Sequence, residues 1–141
     1  MKKQTIYIFT SVLLTLCSSC KKDDPQTELQ DSFASLRLEE TVWEGSLSRN
    51  QVENKVRFQF IDHELGSITM FKRHENNYEN EFLYTKGKYG TLFLGSVDSI
   101  RPLPNELANM WKVQKCEGDS LVMIRYDRST PDVLRLKCIN H

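Results

Sequence analysis

Val56-Arg57-Phe58-Gln59-Phe60 places an apolar side chain at every second position. Successive side chains of an extended chain point to opposite faces, so this stretch reads as a strand with Val56, Phe58 and Phe60 on a buried face and Arg57 and Gln59 in water. The same period of two extends in both directions. It predicts strands over Thr41–Leu47, Lys55–Asp62, Ser67–Lys72, Glu79–Lys86, Tyr89–Gly95, Asn109–Lys115, Leu121–Asp127 and Asp132–Ile139. Turn residues separate several of them, at Asp62-His63-Glu64-Leu65-Gly66, Glu117-Gly118-Asp119-Ser120 and Arg128-Ser129-Thr130-Pro131. Short connections make consecutive strands antiparallel neighbours. Ser96 to Leu107, with Pro102 and Pro104, is the one longer crossing. Short antiparallel strands in one small domain predict an all-β fold, an eight-stranded up-and-down barrel, because closure removes exposed edges. A two-sheet β-sandwich is the structural alternative.

The 141 residues are 39% hydrophobic and 27% charged, the profile of one folded domain. Nineteen basic residues balance nineteen acidic ones. That balance argues against a nucleic-acid partner, which calls for a basic stripe to replace the counterions of phosphate.

The first residues are an address rather than part of the fold. Lys2 and Lys3 precede a mostly apolar stretch from Ile6 to Leu16, and no acid occurs before Asp23; this is the pattern of a secretory signal, too short to span a bilayer stably. Leu14-Thr15-Leu16-Cys17-Ser18-Ser19-Cys20 resembles the lipobox of bacterial lipoproteins, with Cys20 favoured over Cys17 because small Ser18 and Ser19 precede it. The resemblance implies a signal peptide over residues 1–19, palmitate-type acyl chains on Cys20 and attachment to a membrane through that lipid. Lys21-Lys22-Asp23-Asp24 resembles the signal that sends Bacteroidota-type lipoproteins to the outer cell surface. It implies an outer-membrane, surface-exposed location, with the periplasmic face as alternative. Residues 20–28 then form a lipidated tether and residues 29–141 the barrel domain. Removal of the signal takes Lys2 and Lys3 and no acid, leaving two more acids than bases.

Between Gln26 and Leu38, Leu29, Phe33 and Leu36 fall at helical spacing, which predicts a short helix with Asp31 or Ser32 as cap.

Candidates for chemistry are few. His63 lies in a turn between Asp62 and Glu64, His74 in a charged stretch, and His141 ends the chain. No two have the spacing of a helical metal site, and no glycine-rich phosphate loop, nucleophile elbow or Cys-x-x-Cys occurs. The expectation is a non-enzyme with no catalytic residue, metal or cofactor. Cys116 and Cys138 are the candidate disulfide pair, since an oxidising compartment permits one. Register weighs against it. If Lys115 pairs with Leu121 and Leu121 with Cys138, a whole strand separates the cysteines, putting their Cα atoms on the order of 10 Å apart, beyond the roughly 7 Å limit.

Trp43, Phe58, Phe60, Met70, Tyr84, Trp111 and Met123 fall on the inward face. They serve either as the lining of a site for a small apolar molecule or as core filler. Arg125, opposite Trp111 in the same register, would give such a site a charged end.

Thr41-Val42-Trp43-Glu44-Gly45, Val56-Arg57-Phe58-Gln59-Phe60, Met110-Trp111-Lys112-Val113 and final strands containing Leu121, Met123, Leu134 and Leu136 together resemble the lipocalin-like domains of Bacteroidota-type lipoproteins. The resemblance implies a calycin-like barrel that binds a small apolar or amphipathic molecule near Trp43, Phe58 and Trp111. The alternative is a filled barrel acting as an accessory subunit, contacting a protein partner through the charged stretch His74 to Asn80 around Tyr78.

Overall fold

Residues 24–127 and 129–140 are described in a computed structural model. The alternation becomes eight strands: β1(Thr41–Arg49), β2(Val52–Phe60), β3(Leu65–Phe71), β4(Tyr78–Gly87), β5(Thr91–Ser96), β6(Asn109–Glu117), β7(Ser120–Arg125) and β8(Asp132–Asn140). Each pairs antiparallel with its sequence neighbours, and β8 returns to β1 to close the barrel. The pairs Trp43↔Cys138, Gly45↔Leu136 and Leu47↔Leu134 make this seam, and its presence excludes the sandwich.

Several strands run further than the alternation alone suggests, because the turns are tighter. Asn50 and Gln51 both have positive φ, 50° and 65°. They form a two-residue connection between the paired Arg49 and Val52, the turn whose twist suits a hairpin. Gly118, at φ 56°, opens the equally short turn between paired Glu117 and Ser120. In the other direction, β7 stops at Arg125, two residues short of the expected end.

The last three strands correct the expected register. Lys115 pairs with Val122 rather than Leu121, and Leu121 pairs with Leu136 rather than Cys138. The two-residue Gly118-Asp119 turn shifts the first pairs of β6 and β7, and an irregularity between Val113 and Lys115 restores the expected pairing at Val113↔Met123; β7 ending at Arg125, paired with Asp132, moves the β7–β8 register. Cys116 on β6 and Cys138 on β8 stay on opposite sides of β7, with no disulfide between them.

Two glycines let the backbone and core meet. A Cβ on Gly45 would lie 1.7 Å from the Arg135 carbonyl oxygen across the seam, so β1 and β8 approach this closely only at a residue without a side chain. A Cβ on Gly66 would lie 2.3 Å from the Phe82 ring; its absence seats that ring in the interior.

The helix forms where helical spacing predicts but starts earlier. Helix α1 (Pro25–Ser35) is capped by Asp24, whose side chain accepts from the Gln26 amide at 3.1 Å. The expected caps Asp31 and Ser32 lie inside it. Proline in the first turn suits a helix start, where no intrahelical donor is lost. Part of the stretch read as tether is therefore helical. At the other end, Lys86 Nζ on β4 donates to the carbonyls of Phe33, Ala34 and Leu36 at 3.0, 2.8 and 2.6 Å, placing a cation at the negative end of the helix. Phe33 and Leu38 are buried and join the core at the end of the barrel where β1 begins.

Gly45→Ala should destabilise the domain by about 1–3 kcal/mol or more, as overpacking does. Gly95→Ala, where a Cβ meets nothing within 4 Å, should stay within about 0.5 kcal/mol of the parent. Urea unfolding of both variants checks the contrast.

Candidate functional site

All seven side chains expected to face inward are buried in one cluster: Trp43, Phe58, Phe60, Met70, Tyr84, Trp111 and Met123. Phe82, one strand period from Tyr84, belongs with them although the sequence reading passed over it. Its ring meets Phe58 and Phe60 edge-on at centroid distances of 5.6 and 5.7 Å, and Phe60 meets Tyr84 at 4.8 Å. These are the spacings at which aromatic rings attract. The space enclosed by the strands is thus occupied by the protein's own side chains.

Each tryptophan is hydrogen-bonded toward one end of the barrel. At the α1 end, Trp43 Nε1 donates to Thr41 Oγ1 at 2.8 Å, and the Thr41 hydroxyl donates to the Leu38 carbonyl. At the far end, Trp111 Nε1 donates to the Leu107 carbonyl at 2.9 Å. Leu103 and Leu107 from the long crossing are buried beneath it.

Arg125 lies where the register places it, its guanidinium carbon 5.0 Å from the centre of the Trp111 ring. Its Nη1 donates to the carbonyls of Asn105 and Ala108 at 2.7 and 2.6 Å, and Nη2 to Asp132 Oδ2 at 2.6 Å. Arg125 and Asp132 are both almost fully buried. Arg49 reaches Asp132 at 3.8 Å and Glu106 at 3.4 Å. The charged group opposite Trp111 is therefore spent on fastening the crossing and the β7–β8 connection over the barrel end.

The turn after β2 is also structural. Asp62 Oδ1 accepts from the amides of Glu64 and Leu65 at 2.9 and 2.8 Å, and these bonds hold its carboxyl below the usual carboxylate range. The Tyr84 hydroxyl donates to the Asp62 carbonyl, and burial pushes its pKa up to about 12. His63 and His74 are exposed in loops. Among the described residues, no group of three or more His, Cys, Asp or Glu is placed to hold a metal ion. Cys20 and His141 lie outside the described residues.

Tyr78 differs from expectation. It opens β4 half-buried; its hydroxyl accepts from Asn80 Nδ2 at 2.7 Å, and that same amide donates to the Arg101 carbonyl at 2.8 Å. Tyr78 thus packs beneath the crossing, and only residues 72–77 remain as a loop.

Three concavities among the described residues open to solvent. One of about 500 Å³ lies between Ala34–Glu39, His63 and Lys86, and one of about 620 Å³ lies between the β1–β2 turn and the His74 loop. A third, of about 510 Å³, lies on the outer faces of β1, β2 and β3. Its Phe71, Lys72 and Arg73 were not singled out from sequence. Their signal was present, an outward aromatic followed by two cations at a strand end.

Strand order and closure define an all-β, antiparallel, up-and-down eight-stranded barrel, compatible with a calycin-like fold. No family model, curated protein or solved structure matches the chain.

Asp132→Ala should cost about 3–5 kcal/mol, because Arg125 would stay buried without its carboxylate. Arg125→Met combined with Asp132→Leu should recover most of that loss, as read by chemical denaturation. Tyr84 adds an alkaline test. The unfolded chain releases this proton near pH 10, while the folded state holds it to about 12, so its contribution to stability is complete below pH 10 and is lost as pH rises across that window. Tyr84→Phe should flatten the decline in unfolding free energy there.

Proposed function

We propose that the protein is a non-catalytic interaction module whose working surface is the outside of a filled barrel. The observation that carries this reading is the interior: Trp43, Phe58, Phe60, Phe82, Trp111 and Met123 are all at most 1% exposed, and a molecule inside the barrel would have to displace them. The lipocalin-like alternative, a small apolar ligand near Trp43, Phe58 and Trp111, requires that displacement.

Orientation follows from the expected lipid on Cys20. Helix α1 leads into the start of β1, so a tether there turns that end of the barrel toward an outer membrane and the opposite end away from it. The far end consists of the β1–β2 turn, the 72–77 loop, the 97–108 crossing and the β7–β8 connection. It exposes Val52, Ile100 and Tyr126 beside Arg73 and His74. Apolar side chains rimmed by charge suit a protein partner.

Two measurements test the reading. Native mass spectrometry of the detergent-released protein should show no bound apolar species, and lipid-like probes should leave tryptophan fluorescence unchanged. A photoreactive side chain at Ile100 should crosslink a partner protein in cells, whereas one at the similarly exposed Tyr89, on the α1 end, should not. A stoichiometric apolar ligand, or equal crosslinking from both ends, would overturn it.

A further inference from the structure

We propose that the trough on the outer faces of β1, β2 and β3 binds acidic sugar residues of a polysaccharide. Ser46, Lys55 and Phe71 are partners in one row across the three strands. The trough has a volume of about 510 Å³, with Gly45 and Ser46 providing small residues on one side. Lys55, Lys72 and Arg73 supply the cations and Phe71 a partly exposed ring.

The combination is chemically selective. The ammonium of Lys55 sits 5.3 Å from the centre of the Phe71 ring, over one of its faces, so the cation and the ring lie side by side in the trough. Lys55 is only 3.9 Å from Glu44, a carboxylate bound more closely by Arg57, and Lys72 is paired with Glu75 at 2.7 Å. Arg73 has no ion-pair partner among the described residues, and neither does Arg135, the neighbour of Ser46 on β8. These two guanidiniums flank the row with donor geometry suited to carboxylate. Glu53 stands on the rim. A carboxylate repels a bare polyanion but accepts hydrogen bonds from hydroxyl groups. Cations for a carboxylate, a partly exposed aromatic ring for sugar C–H groups and an acceptor for hydroxyls converge on a uronic-acid unit. The cationic row continues past Ser46 to Arg135, which suits a chain of such units rather than one.

The test uses the full chain in detergent micelles, with polygalacturonate as probe and neutral dextran and inorganic polyphosphate as comparisons. Biolayer interferometry should show binding of polygalacturonate and none of dextran. Arg73→Gln and Lys55→Gln should each weaken binding by about fivefold, the loss of one ion pair. Lys112→Gln, on the outer face of β6, should leave it unchanged. Phe71→Leu should weaken polygalacturonate binding while leaving any residual polyphosphate binding as it was. Arg73 lies in an exposed loop, so its substitution keeps the test interpretable if a strand variant unfolds. Absence of polygalacturonate binding would overturn the proposal, as would equal loss in Lys112→Gln or a preference for polyphosphate indifferent to Phe71. The site goes beyond the protein-interaction reading and is separable from it, because crosslinking from Ile100 should persist in Lys55→Gln and Phe71→Leu, whose side chains the far-end surface does not include.

Discussion

The seam between β1 and β8 is the contact on which the rest of the molecule depends. An up-and-down meander leaves its first and last strands unpaired along one side, open to aggregation and to water. Here that side is closed by a ladder running from Val42 to Ser48. The approach of the two backbones at Gly45 leaves no room for a Cβ. Once the seam is made, every strand has two neighbours, and the apolar face of each is committed to a shared interior. Only the two ends are left to seal, and the chain seals each with a connecting segment hydrogen-bonded to a core tryptophan or to the threonine that tryptophan binds.

The far seal shows how a buried charge can serve a structure of this size. Removing a guanidinium and a carboxylate from water is expensive, and the pair repays that cost only when geometry and further hydrogen bonds are good. Arg125 meets the condition with two backbone carbonyls, Asp132 and the face of Trp111, although its Nε has no hydrogen-bond partner. The return is specificity of placement. Carbonyls of Asn105 and Ala108 converge on one cation, fixing a proline-containing crossing that has no regular ladder of its own.

Much of the fold was legible because the strand period is strict where the chain is half-buried. Val56-Arg57-Phe58-Gln59-Phe60 and Leu134 to Cys138 alternate without fault, and the structure buries the side chains that the period selects. Register was less legible. Pairing of β6 with β7 turns on a two-residue connection and an irregularity near Gln114, and nothing in local composition distinguishes a four-residue turn from a two-residue one flanked by longer strands. Leu103 and Leu107 lay in a segment without periodicity, so their burial could not be read. Asp24 as helix cap was obscured because Lys21-Lys22-Asp23-Asp24 reads first as a surface-export signal within a lipidated tether. The inward aromatics were found, but whether such residues surround a void or fill it depends on packing in three dimensions, on which the alternating pattern is silent. The outer trough was missed for the opposite reason: its residues come from three strands and become neighbours only through register.

The start of β1 and the end of β8 lie at the same end of the barrel, where Val42 pairs with Asn140. Under the proposed anchoring ahead of α1 and a partner at the opposite end, load would run along the length of β1. That strand is bonded on one side to β2 and on the other to β8. Tension along it strains both ladders in shear, with many hydrogen bonds sharing the force at once, instead of peeling them apart one at a time. The same placement that closes the barrel also makes its first strand the mechanically strong member of the assembly.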